Sequence, residues 1–142
     1  MRTPEEIVRK WYAESYNTIS ATARENSIFN RYLHRKLENG FNSNENLAIL
    51  EVGGNKGEHT SYVKGPWNKY LMTDIKELTS EEINKLKNRQ IEFAVEDVQK
   101  LNLESNQFDR VIVTCLFHHL DKPYEAAQEL LRVTKPGGSI TI

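Results

Sequence analysis

Apolar residues fall into two rhythms along this chain, one at helical spacing and one in short runs that are unbroken or alternating. Thr3-Pro4-Glu5-Glu6 reads as a helix start, with Thr3 as the cap, Pro4 at the first helical position and Glu6 closing a capping box. Ile7, Val8, Trp11 and Tyr12 follow on one face. A second helix is predicted over about Ile19 to Glu38, with Ile28, Phe29, Tyr32, Leu33 and Leu37 as its stripe and Asn39-Gly40 as its stop. After a polar linker the pattern changes. Leu47–Val52, Tyr70–Asp74, Ile91–Val95 and Arg110–Thr114 read as strands, and Ser139–Ile142 begins a fifth. Between them, helices are predicted over Gly57–Lys64, from the capping box Thr79-Ser80-Glu81-Glu82 to about Asn88, and from Asp121-Lys122-Pro123 onward. In the last of these Tyr124, Ala127, Leu130 and Leu131 are expected to face inward, and Lys135-Pro136-Gly137-Gly138 to break the helix.

Strands alternating with helices imply an α/β fold, a doubly wound and mostly parallel sheet that binds ligands at the carboxyl ends of its strands. Residues 1–45 read as an N-terminal helical segment and 46–142 as the α/β domain. The chain stops inside the fifth strand, where a domain rarely ends. The expectation is a fragment, or a sheet edge supplied some other way. An open edge strand of that kind can pair with a second copy, so a homodimer is an expected partner state.

Composition narrows the class. With 142 residues, 38% hydrophobic and 27% charged, the chain can build one globular core. A net charge of -1 without a basic run argues against nucleic acid as the main partner. No apolar run approaches a membrane span, and the start lacks the apolar core of a signal peptide, so a cytoplasmic location is expected. Cys115 is the only cysteine, which excludes an internal disulfide.

Four segments carry candidate chemistry. In Glu51-Val52-Gly53-Gly54-Asn55-Lys56-Gly57 a strand ends in a carboxylate and runs into a turn whose glycines permit a close backbone approach. Glu51 can orient an ammonium group; an ordinary strand-to-helix turn fits the same residues. Asp74 closes the second strand, where an acid can accept from both ribose hydroxyls, or can simply cap the next helix. Glu96-Asp97-Val98 closes the third. There Asp97 can accept from an adenine amine and the following N–H can meet a ring nitrogen, and a surface turn is the plain alternative. Thr114-Cys115-Leu116-Phe117-His118-His119-Leu120 leaves the fourth strand. His118 or His119 can act as a general base, since imidazole titrates near neutral pH. The commoner explanation is that one histidine packs and the other hydrogen-bonds locally. Adjacent histidines are expected to point to different sides, and nothing sits at ligand spacing from them, so no metal is expected.

In this order and spacing the four segments resemble the class I S-adenosylmethionine-dependent methyltransferases, especially the small-molecule group. Phe108-Asp109 before the fourth strand and Leu130-Leu131-Arg132-Val133-Thr134-Lys135-Pro136-Gly137-Gly138 at the junction with the fifth add to the likeness, which covers about Leu47 to Ile142. The resemblance implies S-adenosylmethionine as cofactor, with S-adenosylhomocysteine as product, and a small-molecule methyl acceptor. It implies that Glu51 and Gly53 hold the methionine end within a loop that includes Gly54, Asn55 and Gly57. Asp74, followed by Ile75, would bind the ribose, and Asp97 and Val98 the adenine. The backbone near Thr114 and Cys115 would meet the methionine amino group. Tyr16 looks like the family's lid tyrosine, although a core aromatic fits as well. Asn55 stands where the family has glycine; as the residue best able to take a left-handed conformation, it is expected to keep the loop intact. The family's last two strands are not expected within these 142 residues.

Three other functions share parts of this pattern. A dinucleotide oxidoreductase predicts Gly-x-Gly-x-x-Gly, which Gly53-Gly54-Asn55-Lys56-Gly57-Glu58 does not fit. A non-catalytic cofactor-binding domain is compatible with Asn55 and the early end. An RNA methyltransferase is disfavoured by the charge and by Thr114-Cys115-Leu116-Phe117, where an Asn-Pro-Pro-aromatic motif would stand.

Overall fold

The computed structural model describes Thr3, Glu6, Ile7, Lys10, residues 28–39, Phe41 and residues 45–142. The chain divides into two compact units, Met1–Asn39 and Gly40–Ile142. In the first, the predicted capping box is formed: Glu6 N–H donates to Thr3 Oγ1 at 3.2 Å and Thr3 N–H to Glu6 Oε2 at 2.9 Å. Helix α1 spans Ile28–Leu37 and ends in His34, Arg35 and Lys36, the charge sign that a helix C-terminus favours. Its expected stripe turns outward at Ile28 and Tyr32, and Lys36 Nζ lies 5.5 Å from the centre of the Tyr32 ring. Trp11, Tyr12 and Tyr16 lie outside the described residues.

The second unit is a parallel sheet of β1 (Leu47–Val52), β2 (Trp67–Asp74), β3 (Glu92–Val95), β4 (Phe108–Val113) and β5 (Thr134–Thr141), in the order β3-β2-β1-β4-β5. This is the doubly wound arrangement that the alternation predicts. β1 is central, and its unbroken apolar run is what a strand covered on both faces requires. On one face Ala48, Leu50, Val52, Leu71, Val111 and Val113 pack with Ala126, Leu130 and Val133 of helix α3 (Pro123–Val133). On the other, Ile49, Tyr70, Met72 and Ile112 pack with Val63 and with Leu86 of helix α2 (Ser80–Lys87). The capping box opening α2 is present, with Glu82 N–H donating to Thr79 Oγ1 at 3.3 Å and Thr79 N–H to Glu82 Oε2 at 2.9 Å.

Three expectations are corrected. Gly57–Lys64 is not an α-helix; it holds only a 3-10 turn at His59–Ser61. Gly65-Pro66 cuts the segment to about two turns, too short to repay helix nucleation. In α3, Tyr124 is 71% and Leu131 68% exposed, while Ala126, Leu130 and Val133 face the core. Lys135-Pro136-Gly137-Gly138 lies within β5 and leaves an irregular register between Phe108 and Arg110 of β4. Pro136 is tolerated because β5 is at the edge of the sheet.

Two polar clusters brace the sheet and its connections. At the amino end, Asp109 Oδ2 accepts from Ala48 N–H at 2.8 Å, and Lys135 Nζ lies 2.9 and 3.0 Å from its two oxygens. Burial opposes the charge on Asp109, but Lys135 and the Ala48 amide outweigh it and leave the carboxyl below its ordinary range. Behind the sheet, Glu129 accepts from Arg132 at 2.8 Å through each oxygen and from Leu101 N–H at 2.8 Å. Arg132 also donates to the carbonyls of Leu103 at 2.7 Å and Leu101 at 3.1 Å. Helix α3 thereby holds the β3–β4 loop.

The hydrogen bonds from Arg132 hold the Glu129 carboxyl below the ordinary glutamate range. A depressed folded-state value means that this stabilisation is present above the ordinary value and disappears as pH falls through the folded one. Glu129→Gln should therefore cost about 1 kcal/mol at neutral pH. Urea unfolding along a pH series should show the gap to wild type closing below the ordinary glutamate range.

Candidate functional site

The carboxyl ends of β1, β2, β3 and β4 finish level. Val52 pairs with Thr73 and with Val113, and Asp74 with Val95. The segments that follow therefore leave the sheet side by side: 53–58 after β1, 75–79 after β2, 96–100 after β3 and 114–119 after β4. All four segments singled out in the sequence meet here, at the edge where the strand order reverses between β1 and β4.

Glu51, the penultimate residue of β1, is completely buried. Its Oε2 accepts a short hydrogen bond from the Tyr70 hydroxyl. Tyr70 pairs with Ile49 and Glu51 with Met72, so tyrosine and glutamate share one face of the sheet on a diagonal. Trp67 packs edge-on against the Tyr70 ring at 5.3 Å. The glycine loop then turns sharply. Gly53, Asn55 and Gly57 have φ of 67°, 48° and 84°. Asn55 thus adopts the left-handed conformation expected of it, and its side chain donates to Glu58 Oε1 at 3.2 Å. Gly54 N–H donates to Thr73 carbonyl at 3.1 Å and Gly57 N–H to Gly54 carbonyl at 2.8 Å. Gly54 has another reason to be glycine: a Cβ there would clash with Met72 Cγ.

Asp74 joins this loop to β2. Its Oδ2 accepts from Asn55 N–H at 2.8 Å and its Oδ1 from Lys76 N–H at 3.0 Å. The carboxylate is fixed in place and half-buried, beside a half-exposed Ile75. Asp97 is half-buried after β3 and accepts through Oδ1 from Gln99 N–H at 3.0 Å; Val98 packs into the core. Gln99 Oε1 in turn accepts from Lys122 N–H at 2.7 Å, tying the β3 loop to the one before α3.

After β4, Thr114 is half-buried and Cys115 exposed, with φ of 51°. Leu116 turns back over Gly53, where a Cβ would lie 3.0 Å from its Cδ2. His118 and His119 sit in a 3-10 turn at Phe117–His119 with ring centres 3.7 Å apart. The expectation that they diverge is corrected, because the tight turn brings the rings together. Among the described residues no group of three His, Cys, Asp or Glu side chains is placed to hold a metal ion, and no helix is long and apolar enough to cross a membrane. Tyr70, Arg89 and Gln99 carry no motif signal and emerge only from the packing.

A family model described as "Methyltransferase domain" matches residues 50–142. The chain belongs to the class I S-adenosylmethionine-dependent methyltransferase family. It is 29% identical over 102 residues to the ubiquinone/menaquinone biosynthesis C-methyltransferase UbiE of Pseudomonas entomophila, covering 66% of this chain and 40% of that one. The chain spans at most two fifths of the curated relatives it matches. A chain from a Haloferax volcanii complex between a methyltransferase activator and a methyltransferase superposes with a TM-score of 0.70 at 18% identity, over 94% of this chain and 58% of that one. The trans-methyltransferase CalH, solved with S-adenosylhomocysteine, gives 0.58 at 22% identity, over 78% and 34%. These likenesses support the Rossmann-like methyltransferase fold.

Gly54→Ala should destabilise the methyltransferase domain by about 1–3 kcal/mol, because the fully buried Met72 must move. Asn55→Gly should be close to neutral, whereas Asn55→Val should lose about 1–2 kcal/mol to left-handed strain. Denaturant midpoints of the three variants separate the steric demand at Gly54 from the conformational one at Asn55.

Proposed function

We propose that this chain is the cofactor-binding part of an enzyme that transfers a methyl group from S-adenosylmethionine to a small-molecule acceptor. The observation that carries this reading is the set of carboxyl groups Glu51, Asp74 and Asp97 at the ends of three adjacent parallel strands around one glycine loop. Such a set suits a ligand with an ammonium group, a ribose diol and an exocyclic amine, all of which donate. It suits a pyrophosphate poorly. A dinucleotide also calls for a helix N-terminus after the glycines, and the segment there makes only a 3-10 turn.

Glu51 would hold the methionine end, Asp74 the ribose and Asp97 with Val98 the adenine, while the backbone of Thr114 and Cys115 would meet the amino group. When bound, the cofactor supplies a methyl group already activated at a sulfonium. The protein's part is to align the acceptor and keep water out. His119 is half-buried and His118 exposed, both on the segment leaving β4; in this reading His119, or failing it His118, takes a proton from the acceptor. With UbiE among the relatives, precursors of ubiquinone and menaquinone head the acceptors to screen. Pairing of two copies and a cytoplasmic location remain parts of this proposal. Tyr16 as a lid also belongs to it.

Calorimetric titration with S-adenosylmethionine and S-adenosylhomocysteine tests the reading. Saturable binding that Asp74→Ala weakens by roughly tenfold or more, and that NAD does not displace, is the expected result. Equal binding by Asp74→Ala, or displacement by NAD, would overturn it. His119→Ala should leave cofactor affinity unchanged and lower turnover by about 10²–10⁴-fold where the acceptor must lose a proton.

A further inference from the structure

The loop after β1 has no α-helix behind it, yet its geometry is specified. Three hydrogen bonds run through a single residue. Arg89, in the turn after α2, donates through Nη1 to Thr60 Oγ1 and through Nη2 to the Thr60 carbonyl at 2.6 Å. Thr60 Oγ1 donates onward to the Gly57 carbonyl at 2.7 Å. A hydroxyl has one proton, and here it goes to Gly57. Its lone pair is therefore what meets the guanidinium, and the direction of the whole series is set. Thr60 is only 1% exposed, so losing either partner strands a buried polar group. The end of α2 meets the loop a second time, since a Cβ on Gly57 would lie 2.9 Å from Leu86 Cδ2.

We propose that Arg89 is a positioning residue for the cofactor loop. Acting through Thr60, it fixes the Gly57 carbonyl, and with it the turn closed by the Gly57 N–H to Gly54 carbonyl bond at 2.8 Å. That turn carries Asn55, whose N–H bonds to Asp74. The series therefore runs from α2 to the carboxylate assigned to the ribose. Arginine suits the task because its planar fork can address a hydroxyl and a carbonyl of one residue together, which a lysine ammonium cannot do in the same geometry. The inference rests on the cofactor reading given above.

The test combines amide hydrogen exchange on the ligand-free chain with calorimetric titration of S-adenosylhomocysteine. Arg89→Lys and Thr60→Val should each raise exchange at residues 57–61 by about tenfold and weaken S-adenosylhomocysteine by a similar factor. Exchange in β1 and β4 should stay at wild-type rates. Thr60→Ser keeps the hydroxyl and should restore both loop exchange and affinity. Unchanged loop exchange in Arg89→Lys would show that there is no brace. A loosened loop with unchanged affinity would overturn the positioning role alone. A wild-type chain that takes up no S-adenosylhomocysteine would overturn the cofactor reading itself, and the role with it. Should Thr60→Val lose exchange protection in β1 as well, the comparison of Arg89→Lys with Thr60→Ser decides.

Discussion

The site depends on a carboxylate buried at the end of the central strand. Removing a carboxyl group from water costs several kcal/mol unless hydrogen bonds replace the lost hydration. Glu51 receives one from Tyr70, itself buried and packed against Trp67. With the side chain held from within the sheet, the backbone must leave β1 at a fixed place and angle. Met72 then sets the distance: it lies so close to Gly54 that no side chain fits between strand and loop. The glycine loop owes its path to these two buried contacts.

The two ends of the sheet are treated differently. At the amino end, Asp109 joins β1 to the start of β5 through Ala48 and Lys135, and Arg110 lies with its guanidinium 3.7 Å from the centre of the Phe41 ring. These contacts are closed among protein groups. At the carboxyl end, Asp74 and Asp97 accept backbone N–H bonds that fix their direction, and each is still only half-buried. A carboxylate has lone pairs for about four hydrogen bonds, so holding it this way orients it without exhausting it. Orientation before binding reduces the ordering cost that a ligand would otherwise meet.

Much of this was legible in the sequence, for a physical reason. The strands are apolar runs bounded by turn residues, and the carboxylates of the site stand at the ends of those runs, so finding the strands finds the acids. Asn55 was legible as well, because few residues other than glycine tolerate its φ. The phase of α3 was not. Tyr124, Ala127 and Leu131 form one helical stripe and Ala126, Leu130 and Val133 another, and periodicity accepts either. The Glu129–Arg132 pair decides between them, because it must face the backbone of Leu101 and Leu103 some 30 residues away in sequence. The brace from Arg89 to Thr60 and the Tyr70–Glu51 bond were illegible for the same reason: each joins residues separated by 29 and 19 positions, and nothing local marks either partner.

Backbone strain follows the same logic. Asn55 and Cys115, with φ of 48° and 51°, follow the two strands that flank the point where the sheet's order reverses. Left-handed geometry at a residue other than glycine costs about 1–2 kcal/mol and persists only where the surroundings over-determine it. At Asn55 the surroundings are Asp74 and Glu58, which take up its backbone and side-chain N–H groups. At Cys115 the turn carries Leu116 onto Gly53, so that the segment after β4 closes against the segment after β1. Gly53 thus lacks a Cβ for two reasons, its own φ of 67° and the leucine above it. Two strained turns meet where Leu116 covers Gly53, and the groups proposed to hold the cofactor stand around them because β1, β2, β3 and β4 end at one level.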